Sequence, residues 1–104
     1  MATPLQLHTD RDDDGSVVLR AVGELDLSNV AQFAGLIEDA VAAGTDDGAR
    51  LQVDLSGIEY LDSGAINVLF DHAESIDLVV NPILLPVLTV CGLTKVTTVK
   101  PAGG

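Results

Sequence analysis

The sequence predicts an α/β fold in which a mixed, largely parallel sheet of about five strands is flanked by three or more helices. Three observations support this fold class. Short runs of residues alternate between apolar and polar as strands do, and longer runs repeat apolar residues with the period of a helix. The two kinds of run then follow one another along the chain, which is typical of parallel strands joined by crossover helices. The predicted element order is β-β-α-β-α-β-α-β.

The length and composition indicate one globular domain. The chain has 104 residues, of which 47% are hydrophobic and 20% are charged. We therefore assign residues 1–104 to a single domain with a core from about residue 5 to residue 99. Because only 3% of the residues are aromatic, the core must be built from Val, Leu, Ile and Ala.

The charge and the terminal sequence exclude several classes of function. A net charge of -11 argues against binding to nucleic acid or to an anionic membrane, since both need Lys and Arg. It is compatible with a basic protein partner or with solubility alone. The first ten residues lack the regions of a signal peptide, and no apolar run reaches the length of a membrane span. We expect a cytoplasmic protein.

The single cysteine limits the chemistry of the chain further. Cys91 excludes an intramolecular disulfide and a cysteine-rich zinc site. Because it lies in the apolar run L-T-V-C-G-L, we expect its thiol to be buried on the inner side of a helix.

A hairpin is predicted at the start of the chain. Residues 5–9 alternate weakly, as in an edge strand, and residues 10–15, D-R-D-D-D-G, supply a polar turn. Residues 16–25 are rich in Val and predict the second strand, which ends in a bend over residues 23–27.

The first helix follows this bend. Ser28 or Asn29 is its predicted cap, Gly44 is its predicted end, and a loop over residues 45–49 comes next. The predicted inner face of the helix has the helical spacing of Val30, Phe33, Ala34, Ile37 and Val41.

A strand and a second helix come next. Residues 51–55 alternate as a strand does, and Ser56 and Gly57 are predicted to end it. The second helix begins near Ser63 with Asp62 as its cap. Its predicted inner face is formed by Ile66, Leu69, Phe70 and Ala73.

The last third of the chain predicts a strand, a helix and a final strand. Residues 75–81, S-I-D-L-V-V-N, predict a short strand with a nearly continuous apolar run, as expected for a strand that is covered on both faces. Asn81 and Pro82 open the third helix, which Pro86 is expected to kink and Gly92 to end. Residues 95–99 predict the final strand, before a tail over residues 100–104. The predicted inner side of the third helix carries Leu84, Leu85, Leu88 and Cys91.

One acidic segment resembles a calcium loop but does not complete it. Asp10, Asp12, Asp14 and Gly15 match positions one, three, five and six of an EF-hand loop. The twelfth position, which needs a bidentate Glu, is Ala21. We therefore interpret the segment as a solvated turn, and we expect neither a metal nor a cofactor.

Hydrolase chemistry on Ser63 is not supported by the sequence. His72 lies nine residues further along the same helix, about 13 Å away and on the opposite side. His8 is the other histidine, and no pattern places it near Ser63. The nucleophile-elbow pattern G-x-S-x-G and the two glycine-rich phosphate-binding patterns are also absent. We expect a binding protein and not an enzyme.

Two short motifs remain as candidate functional sites. Asp62, Ser63 and Gly64 stand at the start of the second helix, where an Asp cap alone would stabilise the helix by about 1 kcal/mol. Asp26 ends the sequence G-E-L-D just before the first helix. Each motif by itself is compatible with an ordinary cap or bend, so it is their combination in this topology that indicates a function.

This combination resembles the STAS domain, specifically the stand-alone anti-sigma-factor antagonists of bacteria. The resemblance covers residues from about Leu5 to Val99. It depends on the segments GELDLSNVAQF, LQVDLSGIEYLDSGAINVL and LLPVLTVCGLTKV.

The resemblance implies regulation by partner switching. An antagonist of this kind binds an anti-sigma factor that is a GHKL-type serine kinase, and so releases a sigma factor. The kinase phosphorylates a serine at the start of the second helix, which dissociates the complex, and a phosphatase reverses this step. In this chain the implied partner-binding residues are Asp26, Asp62, Ser63 and Gly64, with Ser63 as the phosphate acceptor.

The sequence departs from the family pattern at the acceptor position. The family usually reads Asp-Ser-Ser-Gly or Asp-Ser-Ala-Gly, and the second Ser is the usual acceptor. Here Gly64 occupies that position, and Ser63 lies about 100° away around the helix. Two interpretations stay open: Ser63 is phosphorylated in a shifted geometry, or the antagonist escapes the kinase. A STAS-like scaffold for stress signalling, or a module that binds a nucleotide or a lipid, is the alternative function.

Overall fold

The computed structural model describes residues 5–11, 17–43 and 51–102. Within these ranges the chain forms five strands and three α-helices in the predicted order, which confirms the α/β class. The turn predicted over residues 10–15 begins later than expected, because Asp10 and Arg11 belong to the first strand, and its residues 12–15 lie outside the described residues. The predicted stop at Gly44 and the loop over residues 45–49 also lie outside the described residues. The elements are β1 (Gln6–Arg11), β2 (Val17–Leu25), α1 (Val30–Ala43), β3 (Leu51–Leu61), α2 (Ser63–Asp71), β4 (Ile76–Val80), α3 (Leu85–Val90) and β5 (Thr98–Pro101).

The strands lie in the sheet in the order in which they occur in the sequence. β1 pairs with β2 in antiparallel orientation, and β2, β3, β4 and β5 are parallel neighbours. Each helical connection between two parallel strands leads to the neighbouring strand, always in the same direction across the sheet. Because such connections are right-handed, the three helices lie on one face of the sheet. β4 alternates between buried and half-buried residues, so the expectation that both of its faces are covered is wrong.

Strand β3 is longer than the sequence predicts. The expected end at Ser56 and Gly57 is wrong, because the strand continues to Leu61 through two β-bulges. At each bulge β3 has one more residue than the facing segment of β2. The extra residues change the spacing of the buried positions, so the simple alternation is lost. The buried residues of β3 are Leu51, Val53, Leu55, Ile58 and Leu61.

The core lies between the sheet and the helices. Phe33 and Ile37 of α1 are fully buried, as predicted, whereas the other three predicted positions of α1 are half-buried. Of the residues predicted for the inner face of α2, Leu69 is buried, Ile66 and Phe70 are half-buried, and Ala73 is buried but lies two residues beyond the end of the helix. Ala65 is buried in addition to the predicted set. The fully buried large side chains are Phe33, Leu19, Leu25, Ile37, Leu55, Ile58, Leu69, Ile76, Leu78, Leu88, Leu93 and Val18.

The third helix is shorter than predicted, which corrects the expectation for Cys91. One turn of 3₁₀-helix, Pro82–Leu84, precedes α3, and α3 ends at Val90. Gly92 reverses the chain direction in the left-handed region with a φ of 89°. Cys91 therefore lies beyond the inner face of the helix and is exposed, while its thiol donates to the Leu88 carbonyl over 3.3 Å.

The final strand begins later than predicted. Residues 93–95 form a 3₁₀ turn, and β5 runs over Thr98–Pro101 instead of residues 95–99. Pro101 is compatible with this strand because it stands at the end of an edge strand, where no ladder bond is required. Thr97 is the buried polar side chain that joins this turn to the sheet, since its hydroxyl donates to the Ile76 carbonyl over 2.6 Å.

Candidate functional site

The two predicted motifs come together at the carboxyl ends of β2 and β3. The last residues of these parallel strands, Leu25 and Leu61, are paired in the sheet. The Asp62 amide donates to the Leu25 carbonyl over 3.1 Å, which extends the contact beyond the strands. The turn that begins at Asp26 and the helix start at Asp62 therefore lie side by side. We call the surface formed by residues 26–28 and 62–64 the α2 tip.

Asp62 is the N-cap of α2, as predicted. Its backbone is extended, with a φ of -86° and a ψ of 174°, and its carboxylate Oδ1 accepts a hydrogen bond from the Ala65 amide over 2.9 Å. Its carbonyl accepts the Ile66 amide over 3.1 Å, which begins the helical bonding pattern. The cap satisfies one of the free amides of the first turn and places a negative charge at the positive end of the helix.

Asp26 organises the turn between β2 and α1. Its Oδ1 accepts hydrogen bonds from the Ser28 hydroxyl over 2.5 Å and from the Ser28 amide over 2.9 Å. These two bonds stabilise the ionised carboxylate, so they hold the pKa of Asp26 below its usual range. The carboxylate of Asp26 thus makes these hydrogen bonds within its own turn.

Asn29 closes the same turn from the other side. The Asp26 amide donates to Asn29 Oδ1 over 3.0 Å, and Asn29 Nδ2 donates to the Glu24 carbonyl over 2.9 Å. The Asp26 carbonyl accepts the amides of Asn29 and Val30 over 3.1 and 3.0 Å. The side chain of Asn29 thus bonds back towards β2, in contrast to the forward bond of a helix cap that the sequence predicts for Ser28 or Asn29.

Ser63 and Gly64 form the first residues of α2. Ser63 is exposed and Gly64 is half-buried. A Cβ atom added to Gly64 would lie 3.3 Å from Asp62 Oδ1, 3.8 Å from Leu27 Cδ2 and 3.9 Å from Val30 Cγ1. Gly64 therefore lies between the cap and the neighbouring turn.

Leu27 is a residue of this surface that the sequence reasoning missed. It lies between Asp26 and Ser28 and is 82% exposed. The available signal was an apolar residue inside a turn whose neighbours are polar, but a single leucine in that position is also common on ordinary surfaces.

The electrostatics of the α2 tip are mixed. The start of a helix favours negative charge, because its first amides are unpaired and the helix dipole is positive there. Asp62 already uses this site, and Asp26 adds a second carboxylate in the adjacent turn. The tip therefore presents an exposed hydroxyl and an exposed leucine with two carboxylates beside them.

The histidines do not provide a base for Ser63. His72 is the C-cap of α2, at the opposite end of the helix from Ser63. His8 pairs with Arg20, five residues before Leu25, which places it about 16 Å from the carboxyl edge at ~3.3 Å per residue. Nucleophilic catalysis on Ser63 thus has no partner in either histidine.

Among residues 5–11, 17–43 and 51–102, no group of three or more His, Cys, Asp or Glu side chains could hold a metal ion. In the same part of the chain, none of the helices has the length and apolar character needed to cross a bilayer.

Comparison with known families identifies the fold. The sequence model of the family described as "Mlab, STAS domain" matches residues 8–97. The chain therefore belongs to the STAS domain family. A comparison with curated proteins found no match.

Solved structures with the same fold include anti-sigma factor antagonists. The antagonist from Mycobacterium paratuberculosis superimposes with a TM-score of 0.83 at 24% identity, covering 99% of this chain and 92% of that one. A putative antagonist from Thermotoga maritima gives a TM-score of 0.71 at 21% identity, with coverages of 90% and 85%. The Bacillus cell fate determinant SpoIIAA in its phosphorylated form gives a TM-score of 0.65 at 19% identity, with 90% of both chains covered.

Proposed function

We propose that this chain is an anti-sigma factor antagonist that binds an anti-sigma factor through the α2 tip. The observation that carries the proposal is the similarity, over 99% of the chain, to an anti-sigma factor antagonist whose fold superimposes with a TM-score of 0.83. The exposed start of α2 supports it, because Ser63 is accessible to another protein and lies beside the turn of Asp26.

The proposed partner is a GHKL-type serine kinase that holds a sigma factor inactive until the antagonist displaces it. The net charge of -11 supports a partner with a basic contact surface, since opposite charges speed the encounter of two proteins. The chain itself acts by binding and not by catalysis in this proposal. Because it acts on transcription in a bacterium, its location is the cytoplasm.

We further propose that phosphorylation of Ser63 by the same kinase ends the interaction, and that a phosphatase restores it. A phosphate adds about -1.5 to -2 charge units at neutral pH. At Ser63 this charge stands beside the Asp62 carboxylate, which already occupies the helix start. A loss of only ~1.4 kcal/mol in binding free energy lowers the affinity tenfold, so a modest repulsion and desolvation cost is sufficient.

Gly64 is the reason to test phosphorylation separately from binding. The residue has no hydroxyl, and Ser63 points in a direction about 100° away around the helix. Binding through the α2 tip and phosphorylation of the tip are therefore two parts of the proposal, of which the first can hold without the second.

The experiment combines binding with intact-mass analysis. The chain and its Ser63→Ala variant are each incubated with purified anti-sigma factor kinases of the host bacterium, with and without ATP. Complex formation without ATP, followed by a mass gain of one phosphate on the wild type alone, is the expected result. Complex formation by both proteins with no mass gain supports constitutive binding, and the absence of any complex contradicts the proposed function.

A further inference from the structure

We infer that Leu27 is the apolar anchor of the α2 tip, and that it enters an apolar pocket flanked by cationic side chains on the anti-sigma factor. This inference rests on the proposed function. It adds the residue of this chain that contributes most to binding and the kind of surface that the partner must present.

The exposure of Leu27 is the first observation. The side chain of Leu27 is 82% exposed. By contrast, the first apolar residues of α1 and α2 are buried or half-buried. A single exposed leucine is not unusual on a protein surface, so exposure alone does not indicate a binding site. The argument depends on where the turn holds this residue.

The turn holds Leu27 in a fixed position from both sides. On one side the Asp26 amide and carbonyl bond to Asn29, and on the other side the Ser28 amide and hydroxyl bond to the Asp26 carboxylate. The hydrogen bonds between residues 26 and 29 therefore enclose the leucine. Because the backbone of this turn is already ordered, less conformational entropy is lost when a partner buries the leucine, which favours its use in binding.

The position of Leu27 places it at the centre of the α2 tip. Its Cδ2 atom lies 3.8 Å from the point where a Cβ of Gly64 would be, directly beside the first turn of α2. A partner that covers the first turn of α2 at Gly64 would therefore also contact Leu27. Residues that contribute most to binding usually lie near the centre of an interface and are surrounded by residues that exclude water. Leu27 has such a position, with Asp26 and Asp62 beside it, although Trp, Tyr and Arg fill this role more often than leucine does.

The same arrangement defines the chemistry of the partner. A leucine needs an apolar pocket, and the two carboxylates of the α2 tip need cations next to that pocket.

The experiment measures the affinity of the full chain for each purified anti-sigma factor kinase of the host bacterium by calorimetry. Burial of a leucine side chain is worth enough to change an affinity by about tenfold to a hundredfold. We expect Leu27→Ala to weaken binding by this factor equally at low and high salt, because the contact is apolar. Leu27→Met, which keeps the volume of the side chain, is expected to restore most of the affinity.

Two control variants separate an apolar anchor from other effects. Val90→Ala removes an apolar side chain that is 88% exposed at the far end of α3, and it is expected to leave the affinity unchanged. Asp26→Asn is expected to weaken binding more at low salt than at high salt, since salt screens charges. The melting temperature of each variant is measured to show that it is folded at the temperature of the binding experiment.

The outcomes distinguish the proposed role of Leu27 from the proposed function of the chain. Wild-type binding that is weakened by Leu27→Ala and not by Val90→Ala supports the anchor. Wild-type binding that Leu27→Ala leaves unchanged overturns the anchor while the proposed function stands. The failure of the wild type to bind any of the kinases overturns both.

Discussion

The Asp62 amide donates a hydrogen bond to the Leu25 carbonyl over 3.1 Å, which joins the end of β2 to the cap of α2. This bond continues the pairing of β2 with β3 by one residue beyond Leu61. As a result, the two polar segments that follow these strands start from the same point of the sheet. The pairing of β2 with β3 therefore determines where the α2 tip lies. The hydrogen bonds of the turn and of the cap determine the local conformation of its residues.

The cap of α2 is expected to contribute measurably to stability. Asp62→Ala removes the acceptor of the Ala65 amide, and we predict that the free energy of unfolding falls by about 1 kcal/mol. Asp62→Asn is the matched control, because Asn caps helices about as well as Asp does. Urea denaturation of the three proteins tests this prediction. If both variants lowered the free energy of unfolding equally, the stabilisation would come from the negative charge of Asp62 and not from its hydrogen bond to the Ala65 amide.

Asp26 is expected to titrate below the usual range of an aspartate. Its pKa is lowered first by the Ser28 hydroxyl and then by the Ser28 amide, so Ser28→Ala should raise the pKa towards the usual value. Carbon-detected NMR titration of the Asp26 carboxyl group measures this shift directly. Ser63→Ala removes a nearby exposed hydroxyl and should leave the pKa of Asp26 unchanged. The prediction fails if the two variants titrate alike.

The same pKa shift predicts how the effect of Ser28→Ala depends on pH. A pKa that is lower in the folded state stabilises the fold above the usual pKa of Asp, and this contribution is lost as the pH falls through the lowered pKa. The difference in unfolding free energy between the wild type and Ser28→Ala should thus be largest at neutral pH. Denaturation curves at several pH values check this, and a difference that grows in acid would contradict it.

Gly57 is expected to be intolerant of a side chain. A Cβ at this position would lie 2.9 Å from Cγ2 and 3.2 Å from Cγ1 of Val22, so the Val22 side chain must shift. Because Gly57 is exposed and Val22 is 44% exposed, Gly57→Ala should destabilise the protein by less than the about 1–3 kcal/mol that is typical of overpacking in a core. Combining it with Val22→Ala should cost less than the sum of the two single changes, as a double-mutant cycle would show.

Gly35 provides the control for this prediction. It lies inside α1, and a Cβ added there meets no atom within 4 Å. Because glycine is a poor helix former, Gly35→Ala should stabilise the protein by about 0.5–1 kcal/mol. If both glycine substitutions changed the unfolding free energy in the same direction, the contact between Val22 and Gly57 would not be the cause.

Gly64→Ser is expected to create a phosphate acceptor at the position that is usual in the family. The new Cβ would lie 3.3 Å from Asp62 Oδ1, so the cap must shift by a few tenths of an ångström. With an anti-sigma kinase and ATP, the variant should gain a phosphate that persists when Ser63→Ala is added. Gly64→Ala controls for the added bulk. Intact-mass analysis decides the result, and a double variant without a mass gain would contradict the prediction.

The sequence predicts those features of the fold that depend on local patterns. The cap at Asp62 is visible because an aspartate directly precedes a run with helical period, and Phe33, Ile37 and Leu69 are recognisable as core residues by their spacing. The element order is local in the same sense, since it needs only the succession of strand and helix patterns. These predictions are confirmed.

Features that depend on contacts between distant segments are not predictable in this way. The continuation of β3 past Gly57 depends on its pairing with β2, where Val22 packs against the glycine. The exposure of Cys91 depends on the early end of α3, although the apolar residues around it suggest a buried position. In the same way, the bonds of Asp26 to Ser28 follow from the turn geometry and not from the residue types alone.

The most direct test of the account is to map the contact surface in the complex. The chain is labelled with nitrogen-15, and its amide spectrum is recorded with and without the purified anti-sigma factor. We predict that the signals of residues 26–28 and 62–65 change most, while those of the exposed residues of α3 change little. Changes confined to α3 or to the outer strand β1, with an unaltered spectrum for residues 62–65, would contradict the claim that the α2 tip binds the partner.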